Sequence, residues 1–148
     1  MKNPLHIRPL VASDRPDWDV MWAGYLTFYK SSLTPDISDD TFARLLSGEL
    51  IGLIAEDAQG RVQGFAHAIL HAGTWSPKPV CYLEDLFVRD TARGQGAGRA
   101  LIEALAARGR AEGWLRLYWQ TADDNHTAQV LYDKVATRTT WLRYELEL

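Results

Sequence analysis

The chain has 148 residues, of which 47% are hydrophobic and 24% charged, as in an ordinary globular domain. We expect one domain over residues 1–148, because domains most often hold roughly 100–150 residues. The formal net charge of −3 argues against broad nucleic-acid binding, which needs a basic face. No apolar run approaches the roughly 20 residues of a membrane-spanning helix, so a membrane partner is not expected either.

The N-terminal half predicts a strand and two helices. "HIRPLV" favours a short strand, and Ser13 is the predicted N-cap of the helix that follows. The aromatic residues of that helix recur at helical spacing and most simply form core: Trp18, Trp22, Tyr25 and Tyr29. "SDDTFARLLSG" predicts a second helix that begins at Ser38 and ends at Gly48.

The middle and the end of the chain predict a sheet with crossover helices. Three strands follow the second helix, separated by turn-forming sequences: "LIGLIAED", "RVQGFAHAILHAG" and "VCYLEDLFV". The main helix begins at a glycine-rich turn and ends near Gly113. A strand, a helix and a closing strand are then predicted: "LRLYWQTA", "NHTAQVLYDKVA" and "TTWLRYELEL". Hairpins before the glycines and crossover helices after them predict a mixed α/β sheet.

Metal and disulfide chemistry are not expected. Cys81 is the single cysteine, which excludes an intrachain disulfide and favours a cytoplasmic protein, as does an N-terminus without the apolar core of a signal peptide. His67 and His71 lie four residues apart on a predicted strand, roughly 13 Å, which is too far for two ligands of one ion. Ordinary strand surface is the simpler interpretation of both, with a place along a substrate groove as the alternative.

The glycine-rich turn "RGQGAG", residues 93–98, lies between a strand and the main helix. Backbone N–H groups at a helix N-terminus form a natural anion site. The Gly-Lys-Ser/Thr ending of a Walker A loop is missing, and the spacing and late position do not suit a dinucleotide fingerprint. Two interpretations are about even on these six residues alone: the pyrophosphate loop of acyl-CoA-dependent N-acyltransferases, and a tight turn without a ligand.

The chain resembles the GNAT superfamily of N-acetyltransferases over essentially its whole length. The resemblance lies in the order of the elements and in three stretches: "YLEDLFV", "RGQGAG" and "LYWQTADDNHTAQVLYDKVA". The narrower resemblance is to diamine acetyltransferases and to the yeast Hpa-type histone and polyamine acetyltransferases. It implies the GNAT fold, acetyl-CoA as co-substrate, and cofactor contacts from these positions: Leu86, Phe87, Val88, Arg93, Gly94, Gln95, Gly96, Ala97, Gly98 and Asn125. The chain departs from the family at Val135-Ala136, where a glycine is common, and in its short C-terminal tail.

Acetyl transfer to an amine needs a base for the amine's proton and an acid for the departing thiolate. Glu84 lies where the family places an acidic residue, and it is the candidate base, acting through a water. Strict strand alternation puts Tyr82, Glu84, Leu86 and Val88 on one face and Asp85 on the other. An edge charge or a buried hydrogen-bonding support is the alternative for either acid, more so for Asp85.

Tyr132 is the candidate acid. Its residue pattern alone favours core packing, since it belongs to an apolar helical stripe with Leu131 and Val135. The resemblance instead implies that it protonates the thiolate, because the family's tyrosine acid occupies this position.

The predicted function is transfer of acetyl to a primary amine. Glu84, Asp85 and Asp36 are the predicted substrate-binding residues. They bias the groove towards a cationic acceptor such as a polyamine, a basic amino acid or a protein lysine. The family's first two helices form one wall of that groove. A homodimer is expected, because relatives pair and because the last predicted strand, residues 140–148, keeps alternate apolar residues to its end. The alternative function is an acyl-CoA-binding sensor or structural domain without turnover.

Overall fold

The computed structural model describes residues 4–148. The described chain forms five strands: β1 His6–Pro9, β2 Ile51–Glu56, β3 Val62–His71, β4 Val80–Val88 and β5 Arg116–Tyr118. It also forms four α-helices: α1 Arg15–Phe28, α2 Pro35–Ser47, α3 Ala97–Glu112 and α4 His126–Val135. The sheet order is β1-β2-β3-β4-β5, antiparallel from β1 to β4 and parallel between β4 and β5. The predicted mixed sheet is therefore confirmed.

Helices cover both faces of the sheet. On one face, Leu101 and Leu105 of α3 are fully buried against Ala66 and Leu83 of the sheet. On the other face α1 and α2 form an aromatic layer, in which Trp18 packs against Phe42, ring centroids 5.1 Å apart. The predicted aromatic core is thus present. Among residues 4–148, no helix is both long and apolar enough to cross a membrane.

The sequence misplaced the starts of the first two helices. Ser13 lies in a short 3-10 turn, and Asp14 immediately precedes α1. The Asp14 carboxylate accepts hydrogen bonds from the Val11 N–H and the Arg8 guanidinium, each at 2.8 Å, and so orders this entry. Helix α2 begins at Pro35, whose fixed φ suits a first helical position. Ser38 therefore lies inside the helix, where its Oγ accepts from the Trp22 Nε1–H at 3.1 Å.

The predicted closing strand is wrong for the single chain. Residues 137–148 form neither helix nor strand, and Trp141 and Tyr144 are 82% and 90% exposed. A strand needs a neighbour for its backbone N–H and C=O groups. β5, the last strand of the described sheet, holds three residues and pairs with β4 alone. The alternating apolar residues therefore do not form a strand here, because no neighbouring strand pairs with the segment in the single chain.

A bulge in β4 reverses which side chains share a face. His67 pairs with Asp85 while Ala68 pairs with Leu83, so Glu84 is an extra residue on β4. Leu86 consequently packs on the same side as Leu83, towards α3, and Asp85 points towards α1. The predicted common face of Tyr82, Glu84, Leu86 and Val88 is therefore wrong, because strict alternation does not survive an inserted residue.

Candidate active site

The sheet opens between β4 and β5. Hydrogen-bonded pairing joins residues 80–82 of β4 to Arg116–Tyr118, with Tyr82 opposite Tyr118. Beyond this point β4 runs on to Val88, paired with β3 on one edge, and no described strand lies along its other edge. The predicted cofactor positions Leu86, Phe87 and Val88 lie in this part of β4. Its open edge offers backbone donors and acceptors to an extended, amide-bearing ligand.

The glycine loop lies at the end of this open edge. Gly94 and Gly96 have φ of 83° and 85°, a left-handed conformation that favours glycine. The first α3 bond runs from the Ala100 N–H to the Gly96 carbonyl at 2.9 Å. The preceding N–H groups therefore have no acceptor within the helix: those of Ala97, Gly98 and Arg99. Together with the positive end of the helix dipole, they suit a diphosphate.

Close packing brings α4 beside the loop. A Cβ added at Gly98 would lie 3.4 Å from Cδ2 of Leu131 on α4. The loop and the middle of α4 are therefore in close contact, next to the open edge of β4. Acetyl-CoA carries both a pyrophosphate, which suits the loop amides, and an amide-bearing arm, which suits a strand edge.

Three of the predicted cofactor residues have contacts of their own in the structure. The exposed Arg93 guanidinium pairs with Asp90 at 3.0 Å. The Gln95 N–H donates to the Ala92 carbonyl at 3.4 Å, which closes the turn before α3. The side chain of Asn125 caps α4 by accepting from the Ala128 N–H at 3.4 Å. These contacts order the turn before α3 and the start of α4.

The two adjacent carboxylates of β4 have different surroundings. Glu84, at the bulge, reaches the surface, but partial burial raises the pKa of its carboxyl, and the charge of Asp85 adds to the rise. Asp85 is mostly buried, and its Oδ2 lies 2.9 Å from Nδ1 of His67. The two acids are therefore suited to different tasks, since Glu84 is exposed to solvent and Asp85 is hydrogen-bonded to the buried His67.

His67 is a buried support, which contradicts its interpretation as strand surface. It is 3% exposed, and its Nε2 lies 3.0 Å from Nε1 of Trp18. An indole N–H only donates, so Nε2 accepts and Nδ1 carries the hydrogen that is donated to Asp85. The imidazole is thus neutral and orients one oxygen of Asp85. His71, by contrast, is exposed, and its Nε2 lies 3.0 Å from the Tyr118 hydroxyl.

Aromatic residues at the end of α1 form the wall that faces these acids. The Tyr25 hydroxyl donates a long hydrogen bond, 3.5 Å, to the Glu84 carbonyl. Tyr29 packs on Tyr25 with ring centroids 4.9 Å apart, and burial and the charge of Asp85 raise its pKa. The α1 aromatics are therefore core at Trp18 and groove wall at their C-terminal end.

Tyr132 lies on α4, on the other side of the opening. Its ring packs edge-on against Trp119 at 5.5 Å and joins the core cluster beneath α3 and α4. Burial raises the pKa of its hydroxyl, and the neighbouring Tyr29 adds to the rise. A phenol with a raised pKa keeps its proton at neutral pH and can donate it. Tyr29 is thus an electrostatic neighbour of both Asp85 and Tyr132.

The predicted substrate-binding residue Asp36 has no hydrogen-bonded contact with these acids among residues 4–148. It lies in the first turn of α2 as an exposed residue, and a hydrogen bond with Thr34 lowers its pKa. Within the described part of the chain, no hydrogen bond or ion pair joins Asp36 to Glu84 or Asp85. The same residues contain no group of three or more His, Cys, Asp or Glu side chains that could hold a metal ion.

An anion-binding loop at the end of an open strand edge defines a class of acyl-CoA-binding transferase folds. The model of the acetyltransferase (GNAT) family matches residues 14–136. D-amino-acid N-acetyltransferase HPA3 of Saccharomyces cerevisiae is 36% identical over 142 residues, which cover 94% of this chain and 88% of the relative. The chain therefore belongs to the GNAT acetyltransferases, which use acetyl-CoA as co-substrate, and the predicted enzyme class is confirmed.

Other comparisons agree on the fold. The crystal structure of a probable acetyltransferase superposes with a TM-score of 0.86 at 24% identity, over 97% of each chain. This likeness confirms the predicted GNAT fold. A thialysine N-epsilon-acetyltransferase of Caenorhabditis elegans is 41% identical over 54 residues, 36% of this chain and 34% of the relative.

Proposed function

We propose that the protein transfers an acetyl group from acetyl-CoA to a primary amine, most simply that of a cationic acceptor. The observation that carries the proposal is the pair of carboxylates, Glu84 and Asp85, at the bulge where β4 parts from β5. Negative charge at this opening attracts a protonated amine and raises its local concentration. Polyamines, basic amino acids and protein lysines all meet this requirement.

Acetyl-CoA supplies a thioester whose acyl carbon the amine attacks. A primary amine with a pKa near 10.4 is almost wholly protonated at neutral pH, so it must first lose a proton. Glu84 accepts that proton through a water, because its carboxylate reaches the surface and its raised pKa makes it a better base. Asp85, held by His67, positions the cation beside it. The Tyr132 hydroxyl donates its proton to the departing sulfur. The nitrogen loses its second proton as the amide forms, and that proton restores the Tyr132 hydroxyl through solvent.

The family relationship supports a primary-amine acceptor. Yeast HPA3 is named a D-amino-acid N-acetyltransferase, which makes an amino acid a reasonable acceptor for this chain too. The same identity supports the narrower kinship with the Hpa-type enzymes, while kinship with the diamine acetyltransferases stays a prediction. The cytoplasmic location also stays a prediction.

A screen of amines tests the proposal against the alternative of an acyl-CoA sensor. CoA release from acetyl-CoA would be followed over polyamines, free amino acids and a lysine-rich peptide. We expect sustained turnover with at least one group. Thermal stabilisation by acetyl-CoA without CoA release from any amine would favour the sensor.

We also propose that the protein is a homodimer. The segment of residues 137–148 exposes three leucines in addition to Trp141 and Tyr144. Each is at least 81% accessible: Leu142, Leu146 and Leu148. The outer edge of β5 has no described strand beside it. A second copy of the chain would cover both features, since an open apolar edge favours association.

A further inference from the structure

The C-terminal segment places an arginine at the mouth of the groove. Arg143 donates from its guanidinium to the side-chain oxygen of Gln120 and pairs with Glu145 on its own segment. Gln120 lies two residues beyond the end of β5. This contact joins residues 23 positions apart and brings the tail back to the sheet.

The register of the sheet locates this contact. Tyr82 lies opposite Tyr118 in the parallel pair, and their rings stack with centroids 5.0 Å apart. Glu84 follows Tyr82 by two residues on β4, and Gln120 follows Tyr118 by two residues after β5, so both lie just past the last pair of the parallel ladder. The guanidinium that binds Gln120 is therefore near the point where β4 and β5 part.

Electrostatics agree with this placement. Burial raises the pKa of Tyr82 and of Glu84, and the nearby Arg143 opposes the rise at both residues. Arg143 therefore lies close enough to Tyr82 and Glu84 for its charge to act on both. Its positive charge, like that of Arg44 on α2, acts on the Glu84 carboxyl.

This charge arrangement discriminates among the candidate acceptors. A polyamine or a protein lysine brings positive charge without a free carboxylate, so a guanidinium at the mouth repels it. A free amino acid brings an amine for Glu84 and a carboxylate, which the planar guanidinium fork binds with two parallel hydrogen bonds. Glu145 already occupies part of that fork. An ion pair between side chains that are 55% and 64% exposed is weak and is easily replaced by a substrate carboxylate.

We propose that Arg143 binds the carboxylate of the acceptor and thereby makes free amino acids the preferred substrates over polyamines and protein lysines. This inference rests on the proposed N-acetyltransferase function. Arg143 is in this role a specificity residue, while proton transfer remains with Glu84 and Tyr132.

Lysine and cadaverine provide a matched test, because cadaverine is lysine with the carboxylate replaced by hydrogen. Initial rates of CoA release would be measured for cadaverine and for D- and L-lysine. We expect kcat/KM of the wild type to be about 10- to 100-fold higher for the better lysine enantiomer, the range for a hydrogen bond to a charged group. Arg143→Gln should bring this ratio close to one, mainly through KM for lysine, and Arg143→Lys should restore part of it.

Arg138→Gln is the control, since it removes the same charge from the same segment. Arg138 is exposed, and none of the side-chain hydrogen bonds found among residues 4–148 involves it. The variant should keep the wild-type ratio. Equal use of lysine and cadaverine by the wild type, or an Arg143→Gln variant that keeps the ratio, would overturn the inference while leaving the acetyltransferase intact. Absence of turnover with every amine would instead overturn the proposed function, and the inference with it.

Discussion

At the scale of single residues, Tyr132 combines a packed ring with a hydroxyl that burial keeps protonated. Tyr132→Phe preserves the ring and removes the hydroxyl alone. If the hydroxyl protonates the thiolate, kcat should fall by roughly 10²–10⁴-fold, the usual contribution of a general acid. The rate of CoA release measures this loss. A titration with acetyl-CoA should show little change in cofactor affinity. Tyr144→Phe removes a hydroxyl from a 90% exposed ring and is the control; full activity of both variants would make Tyr132 a packing residue.

Glu84 should impose a pH dependence on turnover. A base works only when ionised, and partial burial with the Asp85 charge raises the Glu84 pKa above the ordinary glutamate value of about 4.3. The acidic limb of the kcat/KM profile should therefore rise at a higher pH than an unperturbed glutamate would give. Glu84→Gln should lose this limb and most of the turnover.

Asp85→Asn is the matched neighbour for this experiment. Asp85 is hydrogen-bonded to His67, and its proposed role is to bind the cationic acceptor. The change should therefore act mainly on KM for that acceptor. A Glu84→Gln enzyme that keeps both the acidic limb and its rate would exclude Glu84 as the base.

At the scale of elements, the start of α3 is the proposed anion-binding unit. Gly96→Asp adds a carboxylate and a Cβ where the pyrophosphate is expected, at a residue with φ of 85°. Acetyl-CoA should raise the melting temperature of the wild type and fail to raise that of the variant.

Gly113→Asp is the control for this change. Gly113 ends the same helix with φ of 77°, so the new side chain causes comparable backbone strain far from the loop. Stabilisation by acetyl-CoA should persist in this variant. Equal stabilisation of the Gly96→Asp protein would show that the cofactor binds elsewhere.

The pairing of β3 with β4 depends on a close backbone approach. A Cβ added at Gly64 would lie 2.6 Å from the carbonyl oxygen of Phe87, a contact that backbone atoms cannot relieve without moving β4. Gly64→Ala should lower the free energy of unfolding by about 1–3 kcal/mol, as overpacking typically does. Denaturant titration measures this loss.

Gly73→Ala is its control, because there the added Cβ would meet only Cγ2 of Val80 at 3.9 Å. Its unfolding free energy should change by less than about 0.5 kcal/mol. Equal midpoints for the two variants would mean that β3 and β4 can separate slightly at no cost.

At the scale of the whole molecule, the uncovered C-terminal segment should determine the oligomeric state. Light scattering over a range of concentrations should give the mass of two chains. Trp141→Asp should shift the protein towards monomer, because a charge on the apolar segment opposes its burial. Trp75, in the loop between β3 and β4, is similarly exposed at 84%, and Trp75→Asp should remain dimeric. A monomer mass at every concentration of the wild type would exclude the dimer.

Local sequence determined much of this protein. The order of strands and helices follows from periodicity and turn residues, which act between neighbours in the chain. The glycine loop could also be predicted, since left-handed φ at Gly94 and Gly96 and a helix starting at Ala97 are local properties. Asp14 replaces Ser13 as the residue before α1, a change of one residue, and Pro35 starts α2 three residues before Ser38; contacts and ring geometry compete with the predicted caps.

The tertiary structure decided the features that depend on distant residues. His67 is a buried support because Trp18, 49 residues away, and Asp85, 18 residues away, bond its two ring nitrogens. The bulge at Glu84 arises from pairing with β3, so strand alternation alone puts Leu86 on the wrong face. Residues 137–148 carry a strand-like pattern but no strand, because whether a strand forms depends on a neighbour that its own sequence does not contain.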